Sequence, residues 1–228
     1  MKIAILGATS HIAKGLINGF SRSSQYELYL FARSLNKLSV FLSDIQIGKD
    51  IYKNDFNAFS SNKYDVIINC VGIGDPVKLK NNISAIFHLI ETFDNMVLDY
   101  LEKHPETLYI NFSSGAAYGV AFDMPVNGAT CSNWHINNIS EADYYGIAKF
   151  HSEAKHRALK KLNIVDLRIF SYFSRFINLE SKFLLTEIIS YIKEGKEFIT
   201  DSNNDDTNVN DRSVRVEEIV GLDDKLAR

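Results

Sequence analysis

Apolar and polar positions alternate along this chain in blocks that predict strands and helices in turn. Residues 3–6 form a short continuous apolar run, the pattern of a strand covered on both faces. Gly7 ends it. An amphipathic run follows, with Ile12, Leu16 and Ile17 at helical spacing. Further apolar runs predict strands at 28–32, 45–52 (the weakest), 64–71, 108–112 and 165–170. Residues 83–101 carry Ile83, Ile86, Phe87, Ile90, Phe93, Val97 and Leu101 on one stripe, which predicts a long helix. A second long helix is expected from about 143 to 162. Residues 120–142 read as loop, and 202–211 as an exposed polar stretch. There is no internal repeat and no low-complexity linker.

Strands alternating with helices predict an α/β doubly wound parallel sheet with right-handed crossovers. In such sheets ligands meet the carboxyl ends of the strands. Gly7, Arg33, Gly72, Ser113 and Ser114 all fall there, and Gly72 and Gly74 open the loop after the strand at 64–71.

Composition narrows the class. The 228 residues are 46% hydrophobic and 23% charged, enough for a sizeable core. The net charge of −3 argues against a nucleic-acid partner. No apolar run reaches the roughly 18 residues of a membrane span. Met1 leads straight into a strand, with no leader pattern. Cys70 and Cys131 are the only cysteines, and Cys70 sits in a strand pattern as a buried free thiol. A cytoplasmic location is the expectation.

Strand, tight turn and helix at the start of a chain suit a dinucleotide pyrophosphate, because free N–H groups and the helix dipole face the anion. The three small-residue positions of that turn are Gly7, Ser10 and Ala13. The residue after the second strand meets the adenosine ribose. Arg33 there, with Ser34 and Lys37 nearby, favours the 2′-phosphate of NADP over NAD. A solvated loop arginine is the plainer alternative.

Tyr145 and Lys149 lie four apart, on one helix face. A lysine charge beside a phenol favours phenolate. Such a tyrosine exchanges a proton while a nicotinamide exchanges a hydride. A hydroxyl at a neighbouring strand end, Ser113 or Ser114, would polarise the same oxygen. Alone, Tyr-x-x-x-Lys is also what a surface helix pair looks like.

In order, GATSHIA, NDF (54–56), DVIINCVG (65–72), NFSSGAAYG (111–119), YYGIAK (144–149) and LRIFS (167–171) resemble an extended short-chain dehydrogenase/reductase. The branch is the NAD(P)-dependent epimerase/dehydratases acting on nucleotide sugars. The match tracks the first ~170 residues in family order. The resemblance implies a Rossmann domain over 1–178 and a short substrate-binding region over 179–228, with residues 183–198 resembling that region's first helix and strand. It makes Tyr145 the acid/base. Lys149 binds the nicotinamide ribose and lowers the tyrosine pKa. Ser114 polarises the carbonyl, with Ser113 beside it. Cofactor contacts would come from Gly7, Thr9, Ser10, His11, Ile12, Arg33, Ser34, Asp55, Phe56, Cys70, Val71, Gly72 and Phe170, besides Tyr145 and Lys149. Tyr118 and Gly119 would shape the substrate loop.

The chain departs from the family pattern at Ser10, His11, Ala13 and Ser171, and its substrate lobe is short. The implied activity is an NADP(H)-dependent oxidoreductase or epimerase on a nucleotide-linked sugar, in surface polysaccharide assembly, with NAD an alternative cofactor. Gly115 and Ala116 after the serines disfavour dehydration. A non-catalytic NAD(P)-binding sensor or regulator is the alternative. The family also implies a homodimer built through the helix at 83–101 and the helix bearing Tyr145. In that view Phe87, Leu89, Met96 and Tyr100 lie off the inner stripe and form a second apolar face. A tail at 214–226 folded over these helices would be the other cover. No histidine has metal-ligand spacing, and His151 and His156 read as solvated. Trp134 and His135 are either pocket-lining or loop anchors. The Asp205–Asp206 and Asp223–Asp224 pairs read as solvated tail.

Overall fold

In the computed structural model, residues 1–45, 51–73, 83–119, 125–170, 172–181 and 183–196 are described. Six strands form one parallel sheet: β1 (Lys2–Leu6), β2 (Glu27–Phe31), β3 (Ile51–Asn54), β4 (Val66–Asn69), β5 (Leu108–Ser114) and β6 (Ile164–Ile169). Their order is β3-β2-β1-β4-β5-β6. The helices are α1 (His11–Phe20), α2 (Leu35–Asp44), α3 (Ile86–Leu101), α4 (Tyr144–Ala158) and α5 (Leu184–Glu194). The described residues divide into two compact units, one ending at Phe176 and the other beginning at Ile177.

β1 is central, and its side chains alternate between two cores. Ile3 and Ile5 pack with Ala13, Ile17, Leu28, Leu30, Leu38 and Phe41, on the side of α1 and α2. Ala4 and Leu6 pack with Tyr29, Phe31, Phe59, Ile67, Val97 and Leu101, on the side of α3. Burial on both faces is why the strand reads as an unbroken apolar run. Chain order reverses between β1 and β4, and it is at the carboxyl ends of strands beside such a reversal that sheets of this kind bind ligands.

Several boundaries differ from the pattern reading. α2 went unpredicted, although Leu38 and Phe41 make its buried stripe and Ser34 caps it by accepting from the Lys37 N–H at 3.3 Å. Ile45 belongs to the end of that helix, and β3 starts at Ile51. β5 runs to Ser114, so both serines are strand residues. α3 follows a short 3₁₀ turn, Ile83–Ala85. α4 stops at Ala158 because Leu159 leaves helical geometry (ψ 52°). Leu159 and Leu162 still reach the core. In the second unit, α5 is started by Thr186, whose hydroxyl accepts from the Phe183 N–H at 3.1 Å and also bonds the Ser181 carbonyl. Gly74, Ser171, residues 202–211 and 214–226, and the strand expected after α5 lie outside the described residues.

The second apolar face expected on α3 is not uncovered. Tyr100 is buried, and its hydroxyl accepts from the Tyr64 N–H at 2.9 Å. Phe87, Leu89 and Met96 are half-buried, and Phe87 meets the Tyr144 ring of α4 at 6.1 Å between centroids. Helical stripes locate one buried face, but the sheet and α4 together cover more of α3 than a single stripe. Among the described residues, no helix is long and apolar enough to cross a membrane.

Candidate active site

The loop after β1 is shaped by Gly7, with φ +70°. A Cβ there would lie 2.9 Å from the Cys70 carbonyl carbon and oxygen. Only glycine permits both that conformation and the close approach of the β1 and β4 loops. Ser10 caps α1: its hydroxyl accepts from the Ala13 N–H at 3.4 Å, and its own N–H reaches the Gly7 carbonyl at 2.8 Å. Ala13 is fully buried, so no larger side chain would fit beneath the helix. The first turn of α1 carries no acidic residue, which leaves its N-terminal dipole to an anion. Ile12 packs on the core, and Thr9 is half-buried in the turn. His11 is tied elsewhere: its Nε2 and the Ser174 hydroxyl are 2.7 Å apart, and its ring meets Tyr172 edge-on at 4.9 Å. Burial pushes its pKa down, so it favours neutral imidazole.

At the ends of β2 and β3, Arg33 is exposed beside the capping Ser34. Asp55 is also exposed. Its carboxylate accepts from the Asn57 and Ala58 N–H groups at 2.9 and 3.3 Å, capping a 3₁₀ turn. The Phe56 ring packs on Phe93 at 4.6 Å, which turns it toward the core. After β4, Cys70 is a buried free thiol with its pKa pushed up by burial. The Val71 N–H donates to the Asn69 side-chain carbonyl at 3.0 Å, which fixes the turn into Gly72. A Cβ on Gly72 would stand 3.9 Å from Lys149 Nζ, so this loop reaches α4.

The start of α4 docks on the turn after Ser114. A Cβ on Gly146 would lie 2.3 Å from the Ala116 carbonyl and 2.8 Å from the Trp134 ring. Trp134 is thus a packing anchor for the segment bearing Tyr145. The Tyr145 phenol has the Ser114 hydroxyl as hydrogen-bond partner; burial raises its pKa, and Ser114 works against that rise. Lys149 is 5% exposed. Its ammonium donates to the Phe112 carbonyl at 2.7 Å and sits 5.9 Å from the Tyr145 ring centroid. Burial lowers its pKa to about 8, against the attraction of Asp94, Cys70, Asp166 and Glu153. Phe170 is exposed; its ring fills the space a Cβ on Gly115 would take and stacks 6.2 Å from Tyr118.

Three expectations are corrected here. Lys149 is not the group that works against the raised Tyr145 pKa: burial raises it, and the Ser114 hydroxyl opposes the rise. Ser113 does not join Ser114 at the phenol: its hydroxyl donates to Glu153 Oε1 at 2.5 Å, about two helical turns beyond Tyr145 on α4. His156 is buried, not solvated. Its Nδ1 lies 2.8 Å from Asp166 Oδ1 and its Nε2 2.8 Å from Asp94 Oδ1. Burial opposes its charge, yet the bonds to Asp166 and Asp94 prevail and raise its pKa to about 9. Lys155 reaches the other Asp94 oxygen at 2.6 Å. Tyr109, also on Asp94, accepts from Asn69 at 3.1 Å. This polar layer, with Glu153 and Arg168, was missed. The available signal was a glutamate eight residues beyond Tyr145 on the same face. Among the described residues, no group of three or more His, Cys, Asp or Glu could hold a metal ion.

Asp55, Arg33, Gly7, Gly72 and Ser114 therefore follow one another along the carboxyl edge, on β3, β2, β1, β4 and β5 in spatial order. The model of the NAD dependent epimerase/dehydratase family matches residues 3–208. The chain belongs to that family. Its structure resembles UDP-glucuronic acid 4-epimerase from Bacillus cereus in complex with NAD. That match has 17% identity and TM-score 0.66, and covers 86% of this chain and 64% of that one. It also resembles UDP-N-acetylglucosamine 4-epimerase from Methanobrevibacter ruminantium M1 in complex with UDP-N-acetylmuramic acid (13%, TM-score 0.70, 86% and 64%). A third is dTDP-glucose 4,6-dehydratase from Bacillus anthracis in complex with NAD (15%, TM-score 0.66, 86% and 62%). The chain thus spans less than two thirds of the length of these structures. No curated protein sequence matches it significantly.

Proposed function

We propose that the protein binds a nicotinamide dinucleotide along this edge and interconverts a hydroxyl and a keto group on a nucleotide-linked sugar. It would act as an NADP(H)-dependent reductase or epimerase in surface polysaccharide assembly. The observation that carries the reading is the convergence of Tyr145, Ser114 and Lys149 beside Gly72, with the Gly7 cradle two strands away. That cradle is what a pyrophosphate needs: a backbone opened by positive φ and a helix N-terminus free of acidic side chains. Gly7 and the α1 N-terminus would hold the pyrophosphate, Arg33 a 2′-phosphate, and Lys149 the nicotinamide ribose. When bound, the dinucleotide supplies hydride acceptance and return.

The chain's own residues handle the proton. On reduction the Tyr145 phenol gives its proton to the keto oxygen, and the phenolate so formed is the base that takes a proton from the sugar hydroxyl when the carbon is oxidised. Ser114 donates to the same sugar oxygen and steadies the charge growing there. Lys149, held on the Phe112 carbonyl, keeps positive charge near the phenol without pairing with it. A titration of NADPH and NADH fluorescence tests the reading. Micromolar binding of NADPH is expected, and failure to bind either overturns it.

A non-catalytic NAD(P)-binding regulator is the second reading. It is favoured by Lys149 bonding a carbonyl and by the raised Tyr145 pKa. Turnover separates the two. A cytoplasmic location and a homodimer through α3 and α4 complete the proposal; Phe150 is exposed on α4 and would be covered. Light scattering should give twice the 25.8 kDa chain mass, and the chain mass at every concentration would rule the dimer out.

A further inference from the structure

α4 meets the end of β5 through three contacts at four-residue intervals, rungs about 6 Å apart along the helix. Tyr145 meets Ser114, Lys149 Nζ meets the Phe112 carbonyl, and Glu153 accepts from the Ser113 hydroxyl. The proton-transfer reading uses the first two. The third is the best satisfied. The Glu153 side chain is 2% exposed. Arg168 of β6 grips it with Nε at 2.9 and 3.1 Å and Nη2 at 2.6 Å. The Arg168 guanidinium carbon in turn lies 4.2 Å from the centre of the Tyr118 ring. Tyr118 closes the 3₁₀ turn Gly115–Tyr118, in which the Ser114 hydroxyl accepts from the Ala116 N–H at 3.2 Å. One buried carboxylate therefore ties α4 to β5, to β6 and to the turn that carries the Ser114 hydroxyl.

We propose that Glu153, gripped by Arg168, is a positioning residue for the proton transfer: it fixes the end of β5 and the following turn against α4, so that Ser114 faces Tyr145. The inference rests on the hydroxyl–keto reading above. A buried carboxylate with a fork-to-fork arginine adds little net stability over an apolar pair of the same shape, but it fixes geometry. A shift of about 1 Å at reacting groups costs up to about 100-fold in rate. Glu153 also bears on Lys149. The groups acting on that ammonium against burial are the carboxylates of Glu153 on its own helix, Asp94 on α3 and Asp166 on β6, with the titratable but protonated Cys70 thiol after β4 facing it as well.

The test compares wild type with Glu153→Gln, Arg168→Lys and Ser113→Ala, using two readouts. The first is kcat and KM on UDP-sugars with NADPH. Glu153→Gln should lower kcat at least tenfold and leave NADPH affinity within about twofold, because its target is Ser114 and not the dinucleotide. Arg168→Lys should fall between it and wild type, since lysine keeps the charge and loses the fork. The second readout needs no turnover: the Lys149 side-chain resonance in ¹⁵N-lysine-labelled protein, assigned through Lys149→Met. Its titration midpoint should move down by about one pH unit in Glu153→Gln, the low end for a nearby opposite charge. A purely structural role would change the melting temperature but neither the midpoint nor kcat, and that result overturns the proposal. If Glu153→Gln does not fold, Ser113→Ala decides. It removes the rung and leaves the ion pair, so kcat should fall while the Lys149 midpoint holds, and an unchanged kcat overturns the proposal. If wild type turns over no sugar, the hydroxyl–keto reading fails by itself, and the Lys149 midpoint still settles whether Glu153 controls this face.

Discussion

The Lys149 ammonium donates to the Phe112 carbonyl at 2.7 Å. The bond anchors the middle of α4 to β5 and leaves the charge 5.9 Å from the Tyr145 ring centre. Lys149 thus sets position and field together, and its burial makes the field pH-dependent. With its pKa lowered to about 8 by burial, the positive charge is lost as pH rises through that value. Turnover should show a basic limb near pH 8 in kcat/KM. Lys149→Arg keeps its charge at every accessible pH. Its profile should lose that limb, at a lower absolute rate. An unchanged limb would assign it to another group.

His156 makes stability pH-dependent in a definite direction. Its folded pKa, about 9, lies above the ordinary 6.5, because Asp166 and Asp94 hold the imidazolium against burial. A raised folded pKa gives stability that is fully present below the unfolded value and lost as pH rises through the folded one. The window is pH 6.5 to 9, and the contribution is about 3 kcal/mol at its acid end. Urea unfolding at pH 6.5 and pH 9 should show wild type losing stability across the window and His156→Gln losing far less. Equal slopes would contradict the role.

Arg33 is the residue on which the proposed NADP preference rests. It is exposed at the end of β2, where a charge-assisted and bidentate pair with a 2′-phosphate is open to it. Arg33→Ala should weaken NADPH by roughly 1.5–3 kcal/mol and leave NADH almost untouched. Equal loss for both cofactors would make Arg33 structural.

The sheet was legible because β1, β2 and β4 are buried on both faces and read as apolar runs, while β5 opens on the apolar residues 108–110 and alternates buried and half-buried side chains. Gly7 was legible as a turn, but its contact with the Cys70 backbone was not, since that depends on which loops meet in space. α2 is not legible in the apolar pattern because its buried stripe is only Leu38 and Phe41, and its start is marked by the Ser34 cap alone. At the site, Tyr145, Lys149 and Ser114 are brought together, and their sequence order pointed to them. The polar layer beneath was hidden for a physical reason. Glu153, His156 and Asp94 look solvated in one dimension and are buried only because Arg168, Asp166 and Tyr109 arrive from other strands to pair with them. Ser113 differs from its neighbour for a simpler reason: a buried carboxylate two turns along α4, Glu153, takes its hydroxyl.

The central claim is that Tyr145, beside Ser114 and Lys149, moves the proton of a hydroxyl–keto interconversion. The most direct measurement is turnover of a panel of UDP- and dTDP-sugars with NADPH or NADH, comparing wild type with Tyr145→Phe. The account predicts turnover by wild type and a loss of about 100-fold or more in kcat for Tyr145→Phe, the range for a removed acid/base, with NADPH affinity unchanged. Turnover undiminished in Tyr145→Phe would contradict it.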